Sequence, residues 1–194
     1  MRSYPYRQQN ERFAIAIVLA ITIAGMSRSA EAQVEIEPDQ QYLLLATTRT
    51  GTMQEELDEA ASLGFRVVSG APTSGDEMVI FLRRTESTEP YTYRLLATSR
   101  TSTMQEELEE AATEGYRFLP RTPLCKSRRF GGDEIVSVLE RDPNDTTRYE
   151  YLLLATSRTS TLQREVTDAV SEGFAISALV SCSEHIVILE RSAP

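Results

Sequence analysis

Hydrophobic and polar positions follow the same order three times along this chain. Each copy begins with a short alternating stretch. In the middle copy, Tyr93, Leu95 and Ala97 fall on one side of an extended chain, and Leu96 and Thr98 fall on the other. This period of two residues predicts a β-strand at the start of each copy.

A helical period follows that strand. The apolar residues of the middle copy recur at i, i+4, i+7 and i+8 and form one stripe: Met104, Leu108, Ala111, Ala112 and Gly115. The opposite side is acidic and carries Glu106, Glu109 and Glu110. The pattern predicts an amphipathic helix with one solvent face, ended by a glycine in the left-handed conformation.

Each copy closes on a strand that is apolar on both faces. These strands read MVIFLRR (Met78 to Arg84), IVSVLER (Ile135 to Arg141) and HIVILER (His185 to Arg191). A strand of this kind is covered on both sides, by its own helix and by a neighbouring unit. We therefore predict an α+β fold of three tandem β-α-β-β repeats packed into one domain, with sheets inside and helices outside.

The repeats occupy residues 41–84, 91–141 and 149–191. Short polar connectors that contain proline separate them. A unit of about 45 residues is too small to hold a core by itself. We expect the three copies to cover one another's sheets.

The N-terminus has the pattern of a signal peptide, residues 1–32. An arginine-containing start precedes an apolar run from Phe13 to Ala24, and Ala30-Glu31-Ala32 offers a cleavage site. The run is shorter than the roughly 20 residues that span a bilayer, which disfavours the alternative of an uncleaved anchor. We expect an exported protein, periplasmic or secreted, with an acidic segment at 33–40 and no membrane span after the signal.

Net charge and cysteine content limit the partners and bound groups that the protein is expected to have. The formal net charge is −9, and the predicted signal removes more basic than acidic residues. Such a field repels phosphates, so we expect no nucleic-acid partner. Export favours a disulfide between Cys125 and Cys182, the two cysteines of the chain. Zinc held with His185 is the weaker alternative, and we expect no metal and no cofactor.

Short motifs also resemble a known family. The third copy opens YEYLLL, has Glu172-Gly173-Phe174 after its helix and closes IVILER. These motifs resemble a small bacterial βαββ family of unknown function, whose members begin Tyr-x-Tyr and carry Gly-Trp after the helix. Phe or Tyr replaces that Trp here. The resemblance covers the three repeats and implies their fold without implying an activity.

The most uniform part of the repeat is the loop before each helix, ATTRTGT or ATSRTST. Its threonines predict helix N-caps, with Glu55 and Glu106 completing a capping box in the first two copies. Its arginines near a helix N-terminus suggest an anion site. The alternative is a structural ion pair of each arginine with a carboxylate such as Glu140 or Glu190. The anion-binding candidates are Arg49, Arg100, Arg158, Thr52, Thr103 and Thr161.

The second copy carries a basic insertion after its helix. We interpret this cluster either as a docking site for an acidic partner or glycan, or as a segment that lies against the protein's own acidic helices. His185 takes the position of Met78 and Ile135 in the other copies, which predicts a partly buried structural histidine. The partner-binding candidates are Arg117, Arg121, Lys126, Arg128 and Arg129.

The sequence therefore favours a non-enzymatic exported protein that acts as a structural or protein-interaction module. Another exported protein or an anionic ligand is the expected partner, and the sequence leaves the oligomeric state open. A small-anion or glycan-binding protein that uses the repeated arginine loops is the second hypothesis. An enzyme of unrecognised class is the third, because no pairing of nucleophile and base is evident.

Overall fold

Three β-α-β-β units follow one another in the computed structural model. It describes residues 36–37, 39–73, 76–87, 89–127 and 132–193. The predicted signal peptide, Arg128 and Arg129 lie outside the described residues. Residues from Glu37 to the C-terminus form one compact unit.

The first unit has the predicted order of strand, helix, strand and strand. Its helix buries the stripe Met53, Leu57, Ala60 and Ala61 and packs both on its own sheet and on the first strand of the next unit. Gly64, at φ 83°, ends the helix in the left-handed conformation. The elements are β1 (Tyr42–Thr47), α1 (Thr50–Ser62), β2 (Phe65–Pro72) and β3 (Met78–Arg84).

The second unit differs by its insertion, which divides the strand after the helix into two short strands. Both pair with the long final strand, in which Ile135 to Glu140 are all buried. This continuous burial confirms that the closing strand is covered on both faces. The elements are β4 (Thr92–Thr98), α2 (Thr101–Thr113), β5 (Arg117–Phe118), β6 (Leu124–Ser127) and β7 (Asp133–Arg141).

The third unit returns to the simple order. Its elements are β8 (Tyr149–Thr156), α3 (Thr159–Ser171), β9 (Ala175–Ser181) and β10 (His185–Ser192). In each unit the last strand lies in the middle of an antiparallel sheet, in the orders β1-β3-β2, β4-β7-β5 with β6 also on β7, and β8-β10-β9. The α+β prediction of three β-α-β-β units is confirmed.

The helix starts differ from the prediction. The helices begin at Thr50, Thr101 and Thr159, so Thr52, Thr103 and Thr161 lie inside the first turn and are not N-caps. The N-cap residues are the arginines, without a side-chain cap. The physical reason is a turn one step earlier: the hydroxyls of the strand-end threonines accept the arginine amides, as from Arg49 N to Thr47 Oγ1 at 3.2 Å. The capping-box prediction is wrong.

Each unit covers the free sheet face of the next. The sheet of the third unit turns Leu152, Leu154, Val187 and Leu189 toward α3. Its opposite face, including Tyr151, Leu153 and Ile188, joins a core cluster with Met104, Leu108 and Phe118 of the second unit. The second and third repeats therefore share one core, and contacts of α1 with β4 and of β2 with β6 join the first repeat to the second.

The two cysteines lie in neighbouring units. Cys125 is on β6, and Cys182 is in the turn between β9 and β10. Their sulfurs are at disulfide distance, 2.24 Å, with Cα atoms 5.6 Å apart. The pairing expected from export thus links the second unit to the third. No helix in the described part of the chain is long and apolar enough to cross a membrane.

Candidate functional site

The two junctions between units use the same glutamine contact. Gln54 of α1 donates to the carbonyl of Tyr93 at 3.0 Å and accepts the amide of Leu95 at 2.8 Å. Gln105 of α2 repeats this on Tyr151 and Leu153 of β8, at 2.9 and 2.7 Å. The side-chain amide matches the donor and acceptor of one residue pair on an edge strand. Each glutamine thus joins a helix to the first strand of the next unit.

A tyrosine makes the return contact at each junction. The hydroxyl of Tyr93 accepts the amide of Val67 at 2.9 Å, and that of Tyr151 accepts the amide of Phe118 at 2.8 Å. Val67 lies at an irregularity in the pairing of β2 with β3. Burial raises the pKa of both tyrosines above the ordinary value, and the neighbouring Glu140 raises that of Tyr93 further.

An ion pair stacked on a tyrosine completes each junction. Arg66 donates to Glu140, with its closest N–O distance 2.7 Å, and lies 4.2 Å from the ring centre of Tyr91. Glu140 is only 5% exposed, and it also accepts the Tyr93 hydroxyl at 3.0 Å. The second junction repeats the set with Arg117, Glu190 at 2.8 Å and Tyr149 at 4.4 Å.

These contacts give Glu140 and Glu190 partners other than those suggested by the sequence. The partners of Glu140 and Glu190 are Arg66 and Arg117, and not the arginines of the repeated loops. The reason is the register. Glu140 pairs with Tyr93 at the start of β4, and the loop that precedes α2 follows the other end of that strand.

A cleft of about 230 Å³ lies where the two ion-pair sets approach each other. Arg66 and Arg117 line it together with Glu140, Asp142 and Asp145. The Asp145 carboxylate has its pKa lowered by a hydrogen bond with the Thr147 side chain and by another from the Thr147 amide. The two guanidinium groups thus face carboxylates of the protein itself, and the charge inside the cleft is largely balanced.

The anion-binding candidates are spread over three helix ends. Arg49, Arg100 and Arg158 are exposed and each is the N-cap of a different helix. Thr52, Thr103 and Thr161 follow in the same first turns. The structure brings each arginine close to one helix N-terminus and leaves its role in anion binding a prediction.

The basic insertion is used mainly within the protein. Arg117 holds Glu190, and Lys126 donates to the carbonyl of Thr48 at 2.5 Å and lies 3.8 Å from Glu134. Arg121 accepts the amide of Gly70 at its carbonyl, at 2.8 Å, while its side chain is exposed. Among the described members of the cluster, two of the three basic side chains therefore bind elements of the same chain.

His185 is half-buried at the start of β10, with its Nδ1 3.0 Å from the hydroxyl of Ser181. It pairs in register with Ser181, so it belongs to a hairpin end, in the position that Met78 and Ile135 take in their sheets. Within the described ranges, no group of three or more histidine, cysteine or acidic residues is arranged to hold a metal ion.

The ends of the stack are open. Among the described residues, no unit packs on the outer face of β1, and its side chains Tyr42 and Leu44 are 56% and 57% exposed. Nor does any described unit pack on the outer side of α3 and β9, where Val170, Ile176 and Leu179 are exposed by 48%, 59% and 64%. We call the first surface the head face and the second the tail face. Among the described residues, most of the exposed large hydrophobic side chains lie on these two faces.

The sequence contained an unused signal for the junction residues. The glutamine and the tyrosine recur in all three copies, as Gln163 and Tyr42 show at the open ends. The ion pair recurs only where a junction exists: Ala175 replaces the arginine in the last unit, and Arg83 replaces the glutamate in the first. The arginine is lost only from the last copy and the glutamate only from the first, which indicates that the two residues of each pair lie in consecutive units.

Comparison of the chain with family models, with curated proteins and with solved structures finds no match. The resemblance to the βαββ family therefore stays a prediction from its motifs.

Proposed function

We propose that this protein is an exported, non-enzymatic repeat protein that acts as a structural or protein-interaction module. The observation that supports the proposal is the pair of open faces, where apolar side chains stand in solvent at both ends of the stack. Contiguous exposed apolar surface at defined places is typical of a protein-binding site. Export and the signal peptide are predictions from the sequence alone.

The internal junctions support the same proposal by example. A sheet face equivalent to the head face binds the preceding unit twice within this chain, through the same apolar and polar positions. The head face therefore has the composition of a surface that packs against protein. The exposed Leu44 stands where Leu95 and Leu153 are half-buried.

A capture experiment from the native exported fraction tests the proposal. The wild type should retain a stoichiometric protein, and the variants Leu44→Glu or Leu179→Glu should lose it. Leu63→Glu is the matched control, because Glu114 and Glu172 already occupy this exposed position in the other units. Retention that is equal in all four proteins would contradict a role for the open faces.

The alternative proposal is a small-anion or glycan site at the arginine loops. It is supported by the three N-caps, none of which has a side-chain cap. If the loops bind anions, phosphate or sulfate at constant ionic strength should raise the melting temperature of the wild type, and Arg100→Ala should reduce the response. Equal responses would reject the second unit's site.

A further inference from the structure

We infer that the head face binds the tail face of a second copy of this chain, which extends the stack through a third junction. The inference rests on the proposed interaction role and names the partner. It follows from the repeat, because every junction in the chain joins the helix side of one unit to the free sheet face of the next. In the described part of the chain, the last helix and the first sheet are the two elements without such a neighbour.

The glutamine and the tyrosine that join two units are both present at these two ends. Gln163 is exposed on α3, at the position of Gln54 and Gln105. Tyr42 is exposed on β1, at the position of Tyr93 and Tyr151. In a second copy, Gln163 would reach the Tyr42 carbonyl and the Leu44 amide, and the Tyr42 hydroxyl would reach the amide of Ile176. These are the contacts made at both internal junctions.

Apolar side chains are also present at both ends. Ile176 stands where Val67 and Phe118 are buried at the internal junctions, 7% and 0% exposed. On the head face, Tyr42 stacks on Phe81 with ring centres 5.6 Å apart. Burial of these side chains against one another supplies the driving force for association.

The ion-pair positions have changed at both ends together. Arg83 stands where Glu140 and Glu190 stand, and Ala175 stands where Arg66 and Arg117 stand. An arginine retained at 175 would meet Arg83 across the new junction and oppose binding. With alanine there, the junction lacks the ion pair but contains no pair of like charges. We expect an association that is reversible and weaker than an internal junction.

The contact is heterologous, because two different faces meet. Such contacts close into rings when the rotation allows it and otherwise give open chains. This predicts a specific behaviour for mutants. Leu44→Glu damages the head face only and Leu179→Glu damages the tail face only, so each variant keeps one intact face. A mixture of the two variants can form one junction and then stops at a dimer.

Sedimentation velocity on the whole exported chain tests this across a range of protein concentrations. Wild type and the Leu63→Glu control should associate as concentration rises. Each end variant alone should show its dissociation constant raised by about a hundredfold, since a carboxylate would be buried in the junction. An equimolar mixture of the two should form dimers with near wild-type affinity. Tyr42→Phe should weaken association by about fivefold through one lost hydrogen bond.

Three results would overturn the inference: a wild type that stays monomeric at all concentrations, a mixture of end variants that does not dimerise, or an association sensitive to Leu44→Glu alone. The last would indicate a symmetric head-to-head contact. If the wild type is monomeric but a foreign protein is still captured through the same faces, self-association fails and the proposed function stands. If neither occurs, both fail.

Discussion

The internal junctions and the open ends are built from equivalent positions, yet their burial is opposite. Phe118 is fully buried at the second junction, while Ile176 at the same place on the tail face is 59% exposed. Tyr93 is 4% exposed and Tyr42 is 56% exposed. At these positions, neither residue type nor local backbone decides whether a side chain is buried. The presence of a neighbouring unit decides it.

Removal of both neighbours should have the largest effect. The second unit alone, residues 91–141, would expose the sheet face with Val136 and Val138 and the junction side of α2 together. We expect this fragment to be unfolded or aggregated, because a single unit lacks a closed core. Circular dichroism and a thermal melt check it, with residues 37–194 as the reference. A monomeric fragment that melts sharply would contradict the shared core.

Truncation of one buried side chain at a junction should lower stability less than removal of both neighbouring units, but still by several kcal/mol. Phe118→Ala should lower the free energy of unfolding by about 3–5 kcal/mol, since the ring is lost from a closed core. The matched change at the open end, Ile176→Ala, should stay within about 0.5 kcal/mol. Urea titration of both variants at low protein concentration measures the difference. Similar losses in both would show that the two positions are not distinguished by a neighbour.

The ion pair offers a smaller contrast. Glu140→Gln removes the negative charge of the carboxylate that accepts hydrogen bonds from Arg66 and Tyr93. The change should lower the free energy of unfolding by about 1.5–3 kcal/mol. We expect a value near the lower end, because Arg66 is partly exposed. Arg83→Gln, at the equivalent position of the head face, should leave the monomer unchanged. Urea midpoints compare the two. A Glu140→Gln variant as stable as the wild type would remove the ion pair from the account of the junction.

The junction tyrosines predict a modest dependence on alkaline pH. Their pKa values are raised in the folded protein, so the unfolded chain loses these protons first, above about pH 10. Stability should therefore be complete below that pH and fall as pH rises through it. The double variant Tyr93→Phe/Tyr151→Phe should flatten the fall, and Tyr42→Phe should follow the wild type. Parallel curves for all three proteins would show that the buried tyrosine hydroxyls do not cause the loss of stability at alkaline pH.

The units and their faces could be predicted from the sequence because strand and helix periods repeat three times. The coverage of both faces of β7 and the pairing of the two cysteines were also predicted correctly. The prediction fails for β3, whose outer face on the head side is only partly buried. The helix starts could not be predicted, because the threonines at 50 and 52 both suit a helix start. Only the turn at Thr47, whose hydroxyl accepts the Arg49 amide, selects between them. The roles of Arg66 and Glu140 depend on contacts 74 residues apart, which local pattern does not report.

Amide hydrogen exchange of the monomeric protein measures whether a neighbouring unit protects each junction. If a following unit protects each junction, the amides of Val67 and Phe118, which donate to Tyr93 and Tyr151, should exchange only on global unfolding. The amide of Ile176, at the same place on the tail face, should exchange much faster at low concentration and slow down as the concentration rises. Protection of Ile176 equal to that of Phe118 in the dilute monomer would contradict the account.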